Sequence, residues 1–184
     1  MVESSHDLTA LTRPEVIARI TDFVRGIGLE VSFEDIPHKT FMPGLTVHHG
    51  ALVVDLVRLD APGDLLHEAG HLAVMEPSRR RRCHVDVGKR AAEEMMAIAW
   101  SYAAALHVQL DPAIVFHDAG YRGGAQALLD NFAHGRFIAV PTLQWLGMTA
   151  DEKRAPELGV PPFPHMLKWL NDHGEAMHRT LRVT

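Results

Sequence analysis

The sequence predicts an α+β fold in which a small N-terminal β-sheet or hairpin packs on a mostly helical bundle. Three observations indicate this class: a helical segment comes first, β-rich runs follow, and helical segments fill the rest of the chain. The pattern lacks the strand–helix alternation of a parallel α/β sheet. At 184 residues the chain has the length of one domain, so we expect a single domain over 1–184 with a flexible tail over 1–12.

The first 60 residues combine one helix with β-rich segments. Thr12 is a capping residue and Pro14 lies in the first turn of a segment with helical apolar spacing. Alternating apolar and polar residues predict a strand in "LEVSFEDI". Two further β-rich runs flank the turn "HHG" at 48–50, which predicts a hairpin whose second strand is Ala51–Leu59.

The rest of the chain is predicted to be helical. One helix starts near 62–64, with Asp60 or Asp64 as its cap, and ends near Met75. A long helix from about Arg90 to His107 is apolar on all sides, which indicates a central position. Shorter helices are expected at 111–117, 123–134, 140–147 and 164–173.

Composition excludes several classes of function. A formal net charge of -5 gives no electrostatic support for binding nucleic acid or an anionic membrane. The lone cysteine, Cys83, forms no internal disulfide and builds no cysteine-based zinc finger. The N-terminus lacks signal-peptide character, and the longest apolar run, Met95–Leu106, is too short for a membrane span. We therefore expect a cytoplasmic protein that binds neither nucleic acid nor membranes.

The stretch "GDLLHEAGHLA" at 63–73 carries an HExxH pattern, His67-Glu68-x-x-His71. On a helix, residues four apart lie on one face about 5–6 Å apart, so the two imidazoles can converge on one Zn²⁺. Glu68 lies at the edge of that face, within reach of a water molecule at the metal. Gly70 has no side chain and lets another element approach closely.

Chance alone produces an HExxH pattern in roughly one chain in twenty of this histidine content. The context favours a metal site, because the pattern lies on an apolar helix directly after a strand. A polar stripe on a core helix is costly to bury without a partner.

A third protein ligand is expected from the pair Glu93 and Glu94, at the start of the long central helix. A helix, a loop and the first turn of this second helix would bring one of them over the histidines. Glutamates in the first turn of a helix also interact favourably with its dipole. The pair alone therefore does not decide between metal binding and helix stabilisation. His84 and Asp86 in the intervening loop are lesser candidates.

These residues resemble the zincins, the superfamily of HExxH zinc metallopeptidases, in its glutamate-type branch. The metzincin and thermolysin-type extensions are absent. Over residues 45–105 the chain is most similar to small bacterial zinc peptidases of the phage-repressor-cleaving kind. In these, a strand and HExxH are followed by a helix with Glu-x-x-Ala and an aromatic residue. Glu94-Met95-Met96-Ala97 with Trp100 fits that spacing better than a start at Glu93, so Glu94 is preferred.

The resemblance implies a zinc-dependent hydrolase, a metallopeptidase for a peptide or protein substrate. One Zn²⁺ would be held by His67, His71 and Glu94, with Glu68 as general base. An extended peptide would pair with Ala51–Leu59, if that is an edge strand. The alternative is a non-catalytic binding or regulatory domain on a zincin scaffold.

Two further segments carry candidate residues. Zincins also use a residue that stabilises the oxyanion, and "VFHDAGYRGG" offers Tyr121 and His117, with Arg122 beside them. The basic run Arg79–Arg82 is expected to be a solvated loop face, with docking of an acidic partner as the alternative.

Overall fold

The computed structural model describes residues 11–88, 90–121 and 123–173. Within these ranges the chain forms three strands and eight α-helices, which confirms the α+β class. The strands are β1 (Val31–Phe33), β2 (Leu45–His48) and β3 (Ala51–Val54). The helices are α1 (Arg13–Gly26), α2 (Pro62–Val74), α3 (Pro77–Arg80), α4 (Ala91–His107), α5 (Asp118–Tyr121), α6 (Ala125–Ala133), α7 (Val140–Trp145) and α8 (Ala155–Leu158).

The sheet has the order β1-β3-β2, with β1 parallel and β2 antiparallel to β3. The predicted hairpin is confirmed, and its turn places His49 and Gly50 at φ 52° and 83°, the conformation that two-residue hairpins favour. The prediction that Ala51–Leu59 is one strand, open at an edge, is wrong. β3 ends at Val54 and is the central strand, because β1 and β2 occupy both of its sides.

Asp55 is the reason that β3 stops where it does. Its carboxylate accepts backbone N–H groups from Val57 at 3.0 Å and Arg58 at 3.2 Å, which folds the following residues into a turn. The other carboxylate oxygen accepts the buried N–H of Ile36 at 3.0 Å. Asp55 thus joins the ends of two segments of the sheet layer.

The predicted helices α2 and α4 are present with nearly the predicted bounds. Thr12 begins α1 as predicted, and its N–H donates to the Glu15 carboxylate at 2.7 Å. The residue before α2 is Ala61, with no side-chain cap, so the expected caps Asp60 and Asp64 are wrong. Asp64 is buried and bonds to His117 instead.

The C-terminal part differs most from the prediction. No helix forms at 164–173, because this segment gives its hydrogen bonds to its neighbours. Asn171 donates its backbone N–H to Ala73 O at 2.8 Å and its side-chain amide to Val74 O at 2.9 Å. It thereby satisfies carbonyls at the end of α2, which have no partner within the helix.

The remaining short elements follow the prediction in part. α6 and α7 lie within the expected helices at 123–134 and 140–147, but 111–117 contains only a 3₁₀ turn at Pro112–Ile114. α3 and α8 were not predicted. Residues 1–10 of the expected tail lie outside the described residues.

In the described part of the chain, no helix is both long enough and apolar enough to cross a bilayer.

The substitution Asp55→Asn is expected to destabilise the protein at neutral pH. The N–H of Ile36, above all, holds the pKa of Asp55 below its ordinary value. The ionised carboxylate therefore contributes stability above pH of about 4, and this contribution is lost as the pH falls through the folded-state pKa. Urea unfolding at a series of pH values measures the free energy of unfolding of both proteins. The difference between wild type and variant should become smaller in acid. The exposed Asp35→Asn is the control, and a difference independent of pH would contradict this account.

Candidate metal centre

Close packing of α2 against α4 builds the candidate site. A Cβ atom added to Gly70 would lie 3.0 Å from Ser101 Oγ and 3.1 Å from both Ala97 O and Trp100 Cε3. The predicted close approach of another element at Gly70 is therefore confirmed, and that element is α4. Because α4 lies so near, Glu94 in its first turn reaches the histidines of α2.

His67, His71 and Glu94 converge on one point. The two Nε2 atoms are 3.2 Å apart, and Glu94 oxygens lie 3.5 Å from His67 Nε2 and 3.1 Å from His71 Nε2. Ligands about 2.0–2.1 Å from a tetrahedral zinc ion are about 3.3 Å from one another. The two nitrogens and the Glu94 carboxylate, each oxygen of which faces one histidine, thus have about the spacing that this coordination requires.

The neighbouring Glu93 points elsewhere. Its carboxylate forms an ion pair with Arg79, and Arg90 Nη1 lies 3.6 Å away. Of the two alternatives for the third ligand, the structure brings Glu94 to the histidines and Glu93 to the basic run.

The chemistry of the three donors favours a cation between them. Burial first, and His71 second, lower the pKa of His67 to about 4, so its imidazole is neutral at pH 7. The hydrogen bond with His71 is the main cause that lowers the pKa of Glu94 and keeps its carboxylate ionised. Within the described residues the buried His71 Nδ1 has no hydrogen-bond partner. Two imidazoles and a carboxylate facing one another match the donor set of a zinc site with one open position.

Glu68 is buried on the same side of α2 and lines the cleft over the three donors. Burial raises the pKa of its carboxyl to about 7, against the opposing effect of His71. A carboxyl group with such a pKa can accept and release a proton near neutral pH. It is not one of the converging donors, as expected from the motif.

Tyr121 and His117 lie beside the α2 face, and each contacts one of its residues. Tyr121 Oη is 3.2 Å from His67 Nδ1, the ring nitrogen opposite the converging point. His117 Nδ1 accepts the N–H of Gly120, so its Nε2 donates to Asp64 Oδ1 at 2.7 Å. A contact such as that of Tyr121 orients a ligand from behind, whereas His117 contacts Asp64, which is not one of the three donors. The oxyanion role of both residues stays a prediction. Arg122 lies outside the described residues.

Asp64 is a member of this site that the sequence reasoning missed. It was assigned to helix capping, although it precedes His67 by three residues and so shares its face of the helix. Among the lesser candidates, Asp86 lines the cleft, whereas His84 lies away from α2, beside His48 and His49.

A cleft of about 600 Å³ opens over the candidate centre. Its floor is the polar face of α2, and much of its wall is apolar, formed by Phe41, Met42, Leu45, Val47, Val85 and Val87. Phe41 is 81% exposed and Val85 60% exposed, so large apolar side chains stand at its rim. An exposed apolar surface of this kind is typical of a binding site.

The basic run Arg79–Arg82 was expected to be a solvated loop face, but two of its four arginines bond to other parts of the protein. Arg79 pairs with Glu93 and donates to Val87 O at 2.9 Å. Arg80 donates to Leu72 O at 2.8 Å, at the end of α2.

Comparison of the chain with protein-family models, with curated proteins and with solved structures finds no match.

Enlarging Gly70 should push α4 away from α2. Gly70→Val is expected to lower the free energy of unfolding by about 1–3 kcal/mol, because the added atoms meet backbone and packed side chains. Gly26→Val is the matched control, since a Cβ at Gly26 has no neighbour within 4 Å. Chemical denaturation of both variants measures the difference. Equal effects at both glycines would contradict the role assigned to this contact.

The third ligand can be identified by two isosteric substitutions. Glu94→Gln should weaken zinc binding by more than about 100-fold, the upper end of what outer-shell changes cost, because it removes a charged donor. Glu93→Gln should leave zinc binding within a few-fold of wild type. Equilibrium dialysis at neutral pH measures both, and the reverse order of effects would assign the ligand to Glu93.

Proposed function

We propose that this protein is a zinc-dependent hydrolase, a metallopeptidase that cleaves amide bonds in a peptide or protein substrate. His67, His71 and Glu94 would hold one Zn²⁺. Glu68 is the general base. The function rests on the arrangement of these four side chains and on the resemblance to HExxH peptidases.

The observation that carries this proposal is the position of Glu68. A purely structural metal site needs no proton acceptor beside its ligands, yet a buried carboxyl group lies next to the three donors and lines the open cleft. Burying a carboxyl group without a compensating role is costly. Its pKa of about 7 suits proton transfer at neutral pH.

The residues of the chain divide the chemistry between them. A zinc ion at this site would supply a Lewis acid that polarises the scissile carbonyl and makes water acidic. Glu68 takes a proton from the attacking water and delivers it to the leaving amine, so the carboxyl group ends the cycle unchanged. Tyr121 acts from behind, through its contact with His67.

The cleft indicates the kind of substrate. Its apolar wall favours peptides with hydrophobic side chains near the scissile bond. β2 lies at an outer side of the sheet and lines this cleft with Leu45, Thr46 and Val47. Val85 already pairs with the backbone of Val47 on that side of β2, so we propose that the peptide contacts the side chains of β2 rather than adding a strand to it.

The substitution Glu68→Gln tests the proposal. It should retain zinc, because the three donors are intact, and it should abolish hydrolysis, since the amide accepts no proton. Wild type, Glu68→Gln and Glu93→Gln, each loaded with zinc, can be incubated with a proteome-derived peptide library. Mass spectrometry then counts the new termini. We expect cleavage by wild type and Glu93→Gln only.

Two outcomes would overturn this assignment. Cleavage by Glu68→Gln at the wild-type rate would remove Glu68 as the base. Zinc binding by wild type, with peptides retained but none cleaved, would favour the non-catalytic binding domain.

A further inference from the structure

Three exposed histidines meet at the turn of the hairpin. His48 is the last residue of β2, His49 begins the turn to β3, and His84 lies in the loop after α3. Their ring centroids are 4.7, 4.9 and 5.0 Å apart, and each ring offers a nitrogen within 4.8 Å of the other two. We call these three residues the turn histidines.

Backbone hydrogen bonds hold the turn histidines together. Gly50 N donates to Cys83 O at 3.0 Å, and Val85 N donates to Val47 O at 2.7 Å. His84 therefore lies between two residues that are bonded to the hairpin on either side of His48 and His49. A Cβ at Gly50 would lie 2.6 Å from Arg80 O, which shows how closely the turn and the loop approach.

The surroundings of the turn histidines favour a cation. They border a surface cleft of about 1030 Å³ that is also lined by Glu30, Glu34, Asp35 and His38. Ring contacts between exposed imidazoles contribute little by themselves, whereas imidazole nitrogen is a strong ligand for zinc, copper and nickel. The three ring nitrogens lie within 4.8 Å of one another and need to be about 3.3 Å apart to surround a zinc ion. The side chains are exposed, so no core packing opposes their rotation.

We propose that His48, His49 and His84 form a second metal site, which binds a late first-row divalent ion such as Zn²⁺ through three imidazoles. This site is separate from the α2–α4 centre and does not depend on the proposed hydrolase function. Its ligands are exposed, so the ion exchanges with solvent more readily than one held in the buried centre.

The second site adjoins the wall of the first cleft. Val85 follows His84 directly, and Val85, Asp86 and Val87 line the cleft over Glu68. An ion shared by the turn and His84 would add to the two backbone hydrogen bonds that already hold this wall on the hairpin.

Zinc stoichiometry tests the second site. Protein purified without a polyhistidine tag can be titrated with ZnCl₂ in equilibrium dialysis at one fixed pH, because metal affinity depends on pH. Wild type should bind about two equivalents, one at each site. His84→Asn and His49→Asn should each lose one equivalent. Asparagine tolerates the positive φ of His49, so that variant keeps the turn. His134→Asn, at an exposed histidine of another helix end, should match wild type.

The results separate this proposal from the proposed function. If the α2–α4 centre binds no zinc, wild type should bind one equivalent of zinc at the turn histidines. His84→Asn should then bind none. Circular dichroism of the zinc-free variants checks that they fold. The same stoichiometry in wild type and His84→Asn, or filling of the site only at millimolar zinc, would overturn the second site.

Discussion

The contact between α2 and α4 at Gly70 is the constraint on which the candidate centre depends. A Cβ atom at this position would lie 3.1 Å from both the carbonyl oxygen of Ala97 and the ring of Trp100, so a residue with a side chain would have to displace them. That distance sets how far Glu94 stands from the two histidines. A metal centre assembled from two helices therefore owes its geometry to the helix contact at Gly70, the residue before His71, as well as to the donors themselves.

The second theme is the burial of polar groups on one helix. Asp64, His67, Glu68 and His71 are all at least nine-tenths buried, on a helix whose other residues form the core. Such groups are expensive to remove from water unless they find partners. His117 pairs with Asp64, and Glu94 pairs with the histidines. The same burial that imposes this cost shifts the pKa values of Asp64, His67 and Glu68, so stability and chemistry have one physical origin here.

The sequence was informative where a pattern acts locally and weak where packing decides. Helical periodicity located α2 and α4, and the motif spacing indicated Glu94 before its contacts were seen. Spacing contains no information about strand order, so the central position of β3 was missed. The segment 164–173 has an amphipathic pattern but serves as a partner for the end of α2. Similarly, His84 joins a turn 35 residues earlier in the chain, and no local signal indicates such a meeting.

The close packing at Gly63 limits which residues related proteins can carry at this position. A Cβ there would lie 1.9 Å from the carbonyl oxygen of Ile114, so mutation at this position meets a backbone that cannot yield. Gly63 and Gly70 are seven residues apart, two helical turns. Drift can replace most core side chains by others of similar volume, but it cannot fill Gly63, whereas at Gly70 a neighbour has to give way by only a few tenths of an ångström. Distant relatives should therefore share a glycine four residues before HExxH, and a small residue inside the motif, even after the rest of their sequences has diverged.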